Sequence, residues 1–223
     1  MKASLFLFLF LLGSVALAAS VTFQGLEDVS RVTSSNYSVG SQSNFGEGIL
    51  FNTYLGDRWS LSTGFWYYPR GWTDTTSGSN AISSQVLQIP LMFNFHLRFA
   101  YVGLGVYYAQ NQGTLLETGA VNNNSLQYGT YGINSWDYGY LGQLGLHMPI
   151  TPSVGLQLAI AYTSTLVNNS TGTGTFYNHD IIYIAGVSFR LGEGGKKGKE
   201  QPTSPGTQSG PNKGKADDTN NEK

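Results

Sequence analysis

Val154-Gly155-Leu156-Gln157-Leu158-Ala159-Ile160-Ala161-Tyr162-Thr163 places an apolar side chain at every even position and a small or polar one at every odd position. Successive side chains on a strand point to opposite faces, so this segment is a strand with one greasy face and one small, polar face. About ten residues is the length that crosses a bilayer when the strand is tilted. Five further stretches repeat the pattern: residues 58–68, 85–96, 99–110, 136–148 and 180–191. Residues 44–55 show it more weakly, and residues 20–27 most faintly, which brings the expected count to eight.

The connections alternate as well. Residues 55–58, 97–99 and 147–151 are short; residues 28–43, 70–84, 111–135 and 166–179 are long and rich in Ser, Thr, Asn and Gly. Short turns on one side and long loops on the other are how a bacterial outer-membrane barrel is built, with an even strand number that returns both termini to the periplasmic side. The expected fold is therefore all-β: an eight-stranded antiparallel transmembrane barrel over residues 20–192, its long loops outside the cell.

Composition agrees. Charged residues make up 11% of the chain, against a usual ~25%. No Lys lies between Lys2 and Lys196, and Arg31, Arg58, Arg70, Arg98 and Arg190 are the only cations in that interval. A basic face for nucleic acid is missing. A lipid-facing wall has just this poverty of charge, because Lys or Arg at the bilayer midplane costs ~2–4 kcal/mol. The chain has no Cys, so it offers no disulfide, lipoprotein anchor or thiolate metal site.

Both ends read differently. Residues 1–19 have Lys2, an unbroken apolar run from Leu5 to Leu12, and Ala16-Leu17-Ala18, the form of a cleaved secretory signal. After Leu191 no aromatic or branched aliphatic residue occurs, and six of the seven Lys residues appear among five acids. Residues 193–223 have nothing to bury and are expected to be a disordered periplasmic tail.

Three segments carry a family resemblance. The run Gly48-Ile49-Leu50-Phe51-Asn52-Thr53-Tyr54-Leu55-Gly56-Asp57-Arg58-Trp59-Ser60-Leu61, the run Leu87-Gln88-Ile89-Pro90-Leu91-Met92-Phe93 and the run Tyr101-Val102-Gly103-Leu104-Gly105-Val106-Tyr107-Tyr108 resemble, in order and spacing, the outer-membrane β-barrel domain family of PorT-like and OmpA-transmembrane-like type. The resemblance implies a fold and a membrane, and no single shared chemistry. Two features depart from it: Thr63-Gly64 stands where the family often has an acid, and the barrel continues into a tail. Gly186, Phe189 and Leu191 resemble part of the signal read by barrel-assembly machinery, with Ile184 in place of its opening polar residue.

Alternation assigns the side chains. Gln88, Asn94, His96, Asp137, Gln143, His147, Gln157 and Arg190 are expected in the lumen, with Gln88 and Asp137 nearer the external end and the others, Gln157 apart, grouped at the periplasmic end. Trp59, Tyr67, Tyr108, Tyr138, Tyr162 and Phe189 are expected outward as membrane-interface aromatics. Trp59 and Tyr67, eight residues apart, are separated by about 20 Å along the membrane normal, which suits two girdles. Pro90 inside a strand is expected to mark a bulge.

No catalytic, cofactor or metal set emerges. His96 and His147 lie at the end away from the outer leaflet, and His179 and Asp180, as neighbours on a strand, point to opposite faces. The expected role is non-enzymatic, envelope-structural or surface-contact, with outer-membrane lipids and the insertion machinery as partners. A small channel or transport accessory is the chief alternative, and a lipid-modifying enzyme a distant third. Any surface or periplasmic partner is left open. An even strand count makes a topological prediction: an antibody to residues 192–223 does not stain intact cells and stains permeabilised ones. Staining of intact cells would refute that count.

Overall fold

The computed structural model describes residues 19–35, 39–74, 80–118, 123–126, 134–170 and 174–191. Residues 1–18 and the unit Glu193–Lys223, where the signal and tail were read, lie outside these. Nine strands follow in order: β1 (Ser20–Ser34), β2 (Val39–Tyr54), β3 (Trp59–Asp74), β4 (Asn80–Leu97), β5 (Ala100–Thr118), β6 (Asn123–Leu126), β7 (Trp136–Pro149), β8 (Val154–Thr165) and β9 (Phe176–Arg190). Eight of them close a barrel, each antiparallel to its neighbours, and β6 is a short strand added to the outer part of β5.

Closure runs through β1 and β9, paired from Ser20↔Arg190 to Ser34↔Phe176. At the Ser20 rim the Leu191 N–H donates to the Ala19 carbonyl (2.9 Å) across the seam, and the Ala19 N–H donates to Asn52 (2.7 Å) on the β2 side. In hydrocarbon no water can satisfy a free strand edge, so a spanning sheet must close. Burial alternates accordingly. On β1 the even positions from Ser20 to Val32 are buried, while Phe23 and Gly25 are exposed; on β5 Val102, Leu104, Val106 and Tyr108 are exposed and Tyr101, Tyr107 and Ala109 are buried. The large apolar side chains left outside make the lipid-facing belt.

The connections at the end that carries the termini are tight. Gly56 (φ 125°) and Arg98 (φ 56°) take left-handed backbone in the β2–β3 and β4–β5 turns. A two-residue hairpin favours positive φ, and the Arg98 guanidinium lies 4.9 Å from the centre of the Phe99 ring.

Three expectations need correction. The outer loops are shorter than expected, because β1 runs on to Ser34, β3 to Asp74 and β5 to Thr118; period-two alternation continues through polar residues that read as loop. The turn expected at 147–151 falls later, since His147, Met148 and Pro149 pair with Gln157, Leu156 and Gly155. Pro90 forms no bulge: the β3–β4 register is unchanged between Thr63↔Leu91 and Trp66↔Gln88, and only the ladder pairs between them are missing. Register shifts occur instead between Ser41 and Glu47 on β2 and between Ser83 and Gln85 on β4.

Strand length varies around the wall. β8 has 12 residues and rises ~30 Å at a ~40° tilt, about one hydrocarbon thickness. β5 has 19, which adds roughly 18 Å of rise by the same geometry. Leu158 is 48% exposed, whereas Gln157 points inward and binds Gln24. Arg at 158 should therefore cost ~2–4 kcal/mol of folding free energy in a bilayer refolding titration. Arg at 157 should act through crowding in the lumen, with no such dependence on depth in the bilayer. Tolerance of Arg at 158 and at neighbouring outward apolar positions would contradict a lipid-facing wall.

Candidate functional site: the filled lumen

Side chains from all eight barrel strands stack in layers along the axis. Small residues set how close they come. A Cβ on Gly64 would stand 1.9 Å from the Ile49 carbonyl oxygen, and one on Gly105 2.1 Å from that of Leu91. Those positions admit only glycine because the neighbouring backbone already occupies the space.

At the mouth near the short turns lies a polar mesh. His96 Nε2 is 2.8 Å from Ser60 Oγ, and His147 Nε2 is 2.7 Å from Ser188 Oγ. Asn94 Nδ2 donates to Ser62 Oγ at 2.6 Å, and Ser62 donates to Asn52 Oδ1 at 2.5 Å. Gln143 and Gln157 both donate to the Tyr101 hydroxyl, Gln143 at 3.0 Å. Gln157 also accepts from Gln24 at 2.8 Å, whose other amide atom accepts from Trp66 Nε1 at 2.8 Å. The cavity among Asn94, His96, Gln143, His147 and Gln157 measures about 30 Å³, space for about one or two waters. Arg190 keeps the inward parity but is exposed, lining the rim beside His147 and Ser188. It stands outside the mesh that the alternation assigned to it.

Above the mesh an apolar layer, including Leu26, Leu50, Trp66, Met92, Leu141 and Ile184, fills the bore. A charged layer follows. Arg70 Nη1 lies 2.8 Å from Asp137 Oδ2 and Nη2 lies 2.6 Å from Asp180 Oδ2, all three side chains at most 3% exposed. Nη2 also donates to the Tyr68 hydroxyl (3.0 Å) and to Gln88 Oε1 (3.3 Å), and Tyr68 donates to Gln88 at 2.6 Å. Asn169 and Asn178 donate to Asp137 at 3.2 and 2.9 Å, and Thr163 to Asp180 at 3.1 Å. A third buried carboxylate, Asp28, is bonded to Ser30, the β1 partner of Asp180. A second apolar layer of Val32, Trp72, Ile82 and Phe176 covers the charges from outside, with the Trp72 and Phe176 rings edge-to-face at 5.0 Å.

Gln88 and Asp137 thus sit in the charged layer, and Asn94, His96, Gln143, His147 and Gln157 in the mouth mesh. Trp59, Tyr67, Tyr108, Tyr138, Tyr162 and Phe189 are all outward, 41–44% exposed. Trp59 stacks on Phe93 (4.8 Å) near the short-turn end, and Phe189 meets Phe23 across the seam (6.1 Å). Arg70, Asp28 and Asp180 were not among the residues assigned to the lumen. The signal was present: Ser60, Ser62, Gly64, Trp66, Tyr68, Arg70 and Trp72 share one parity.

Outside the barrel, His179 Nδ1 faces Ser164 Oγ (3.0 Å) and the Tyr162 hydroxyl (3.3 Å), a pairing that the sequence reading missed. Asp180 lies on the opposite face, and among the described residues no carboxylate bonds His179. Nor do three His, Asp or Glu side chains of the described residues converge as metal ligands.

A closed antiparallel barrel with a lipid-facing belt and a filled polar lumen defines a small outer-membrane barrel protein. The family model described as outer membrane protein beta-barrel domain matches residues 14–163, and the chain belongs to that family, which places it in the membrane lipids of the bacterial outer membrane. Similar solved structures include OprG from Pseudomonas aeruginosa (15% identity, 78% of this chain and 96% of that one, TM-score 0.47) and Neisserial surface protein A (16%, 77% and 97%, 0.47). Ail, the attachment invasion locus protein of Yersinia pestis, is similar at 12% identity over 77% of this chain and 99% of its own, with TM-score 0.45. Comparison with curated protein sequences found no match.

Removing one partner from a buried ion pair costs ~3–5 kcal/mol because the other charge is left stranded. Arg70→Ala should lose stability on that scale in a lipid refolding titration. Arg70→Ala combined with Asp180→Asn should recover part of the loss. Strictly additive losses would show that the two side chains are not coupled.

Proposed function

We propose that the protein is a non-enzymatic barrel whose task is surface contact, performed by the wall on the β3–β6 side. The observation that carries this is the unequal height of the barrel: β3, β4 and β5 have 16, 18 and 19 residues, β7 and β8 have 14 and 12, and β6 widens the tall side. A paired sheet above the lipid presents a surface that free loops do not hold in place, and rigid scaffolds carry binding residues this way. The filled bore supports the same assignment over a channel. An eight-stranded interior is just wide enough for side chains, and here two apolar layers bracket a bonded charged layer. Assembly by the insertion machinery belongs to this reading too, through Gly186 and Phe189 on the closing strand and Leu191 just after it.

The test compares cells expressing the full chain with cells in which residues 113–133 are replaced by a short Gly-Ser turn. Attachment to glycan-coated and abiotic surfaces is measured, together with heat-modifiable mobility as the sign of a folded barrel. Full-chain expression should raise attachment, and the shortened barrel should fold and lose the gain. No gain from the full chain, with sustained open steps of the purified protein in a planar bilayer, would replace surface contact by conduction.

A further inference from the structure

The lipid-facing wall is not uniformly bulky. Following the hydrogen-bond direction across six strands, the outward residues Ala100, Leu146, Leu158, Ala185, Gly25 and Glu47 form one row. The row above it carries Leu144, Ile160, Tyr183, Glu27 and Phe45, and the row below carries Leu156, Val187, Phe23 and Ile49. Between these, Ala185 and Gly25 leave a trough. Depressions of about 840 and 490 Å³ meet at Gly25, Leu158 and Ala185.

Gly25 differs from the inward glycines at Gly64 and Gly105. A Cβ there would find its nearest neighbour, the Ala185 carbonyl oxygen, at 3.8 Å. Neither crowding nor a left-handed backbone calls for glycine at this position. What the missing side chain does is keep the trough open.

The trough has a direction. Strands tilt by ~40°, so a row perpendicular to them climbs at the same angle to the membrane plane. Five strand spacings of ~4.8 Å from Ala100 to Glu47 make a path of about 24 Å that climbs ~15 Å of an apolar band ~25 Å tall. Its low end is Ala100, the first residue of β5. Its high end is Glu47, beside Tyr67, and Glu27, beside Tyr183, in the upper half of the band, where exposed aromatics lead to the outer interface. Glu27 accepts a bond from Ser43 Oγ at 3.1 Å, and neither Glu27 nor Glu47 has a cationic partner among the described residues. Two carboxylates at the interface end of an apolar trough suit an amphiphile with a positive headgroup.

We propose that this trough binds one acyl chain of a lipid whose headgroup carries a protonated primary amine, the amine lying between Glu27 and Glu47 and the chain running past Gly25 and Ala185 toward Leu158. An anionic headgroup would meet repulsion there, and a bulkier residue 25 would displace the chain.

Native mass spectrometry of the purified full chain, offered equal amounts of phosphatidylethanolamine and phosphatidylglycerol with the same acyl chains, tests this. The unaltered protein should retain the ethanolamine lipid about fivefold over the glycerol lipid, the scale of an exposed ion pair. Gly25→Leu should lose the retained lipid. Gly142→Leu should keep it, because residue 142 is also outward, with 3.7 Å to its nearest neighbour, and lies outside the trough. Glu27→Gln with Glu47→Gln should still retain lipid, with the preference near one. If Gly25→Leu fails to give a heat-modifiable barrel, Ala185→Leu takes its place and should also lose the lipid. Equal retention by the trough-filling variant and the unaltered protein would overturn the proposal. So would an unchanged preference after both Glu→Gln changes, or a preference for phosphatidylglycerol that depends on added magnesium.

Discussion

Eight strands enclose a bore only as wide as the side chains that point into it. That width governs much of what this chain does. Where two backbones come closest, at Gly64 and Gly105, no side chain fits. Where space remains it is taken by Trp66, Tyr68 and Leu141, each at most 1% exposed. Every polar group sent inward must then find a partner inside, since little water can follow it. Hence the bonded mesh at the mouth, and hence one guanidinium shared by two carboxylates, two hydroxyl or amide acceptors and the network behind them.

Asn94 Oδ1 and Gln143 Oε1 lack a protein partner in the mouth, but the charged layer carries in addition an imbalance of charge. Asp28, Asp137 and Asp180 each keep one buried carboxylate oxygen without a protein partner, as does the Nε of Arg70 on the donor side. One cation among three acids is a poor balance in a medium of low dielectric. Such groups contribute little net stability, yet they fix which strands may face one another. A one-residue slip of β3 would turn Arg70 out of the barrel and leave Asp137 and Asp180 without their cation. The layer acts in this way as a check on register.

Much of the barrel was legible in the sequence. Alternation alone separated Leu158 from Gln157 and Tyr108 from Ala109, and the tight connections at Gly56 and Arg98 were visible as gaps between apolar runs. The upper third of the barrel was not. Residues 28–34 and 70–74 are strand but carry Asp, Ser, Arg and Thr, because strand that has left the lipid no longer needs an apolar outer face. Polarity there was mistaken for loop, and Asp28 and Arg70 were lost with it. The Arg70–Asp180 contact joins residues of β3 and β9, strands that are not neighbours in the wall and meet only across the bore. No local pattern records a pairing of that kind. The trough escaped for a similar reason: Ala100, Ala185 and Gly25 become one row only when the sheet closes.

The seam that completes the cylinder unites the first strand with the last. Until Arg190 has been synthesised and exported, β1 has no partner on one side, and no shorter product of the ribosome can shelter both of its edges. Folding of this chain is thus tied to its completion and cannot proceed segment by segment during translation. In water the greasy belt of residues 20–190 stays uncovered, so the closed cylinder and the lipid that covers it are reached together.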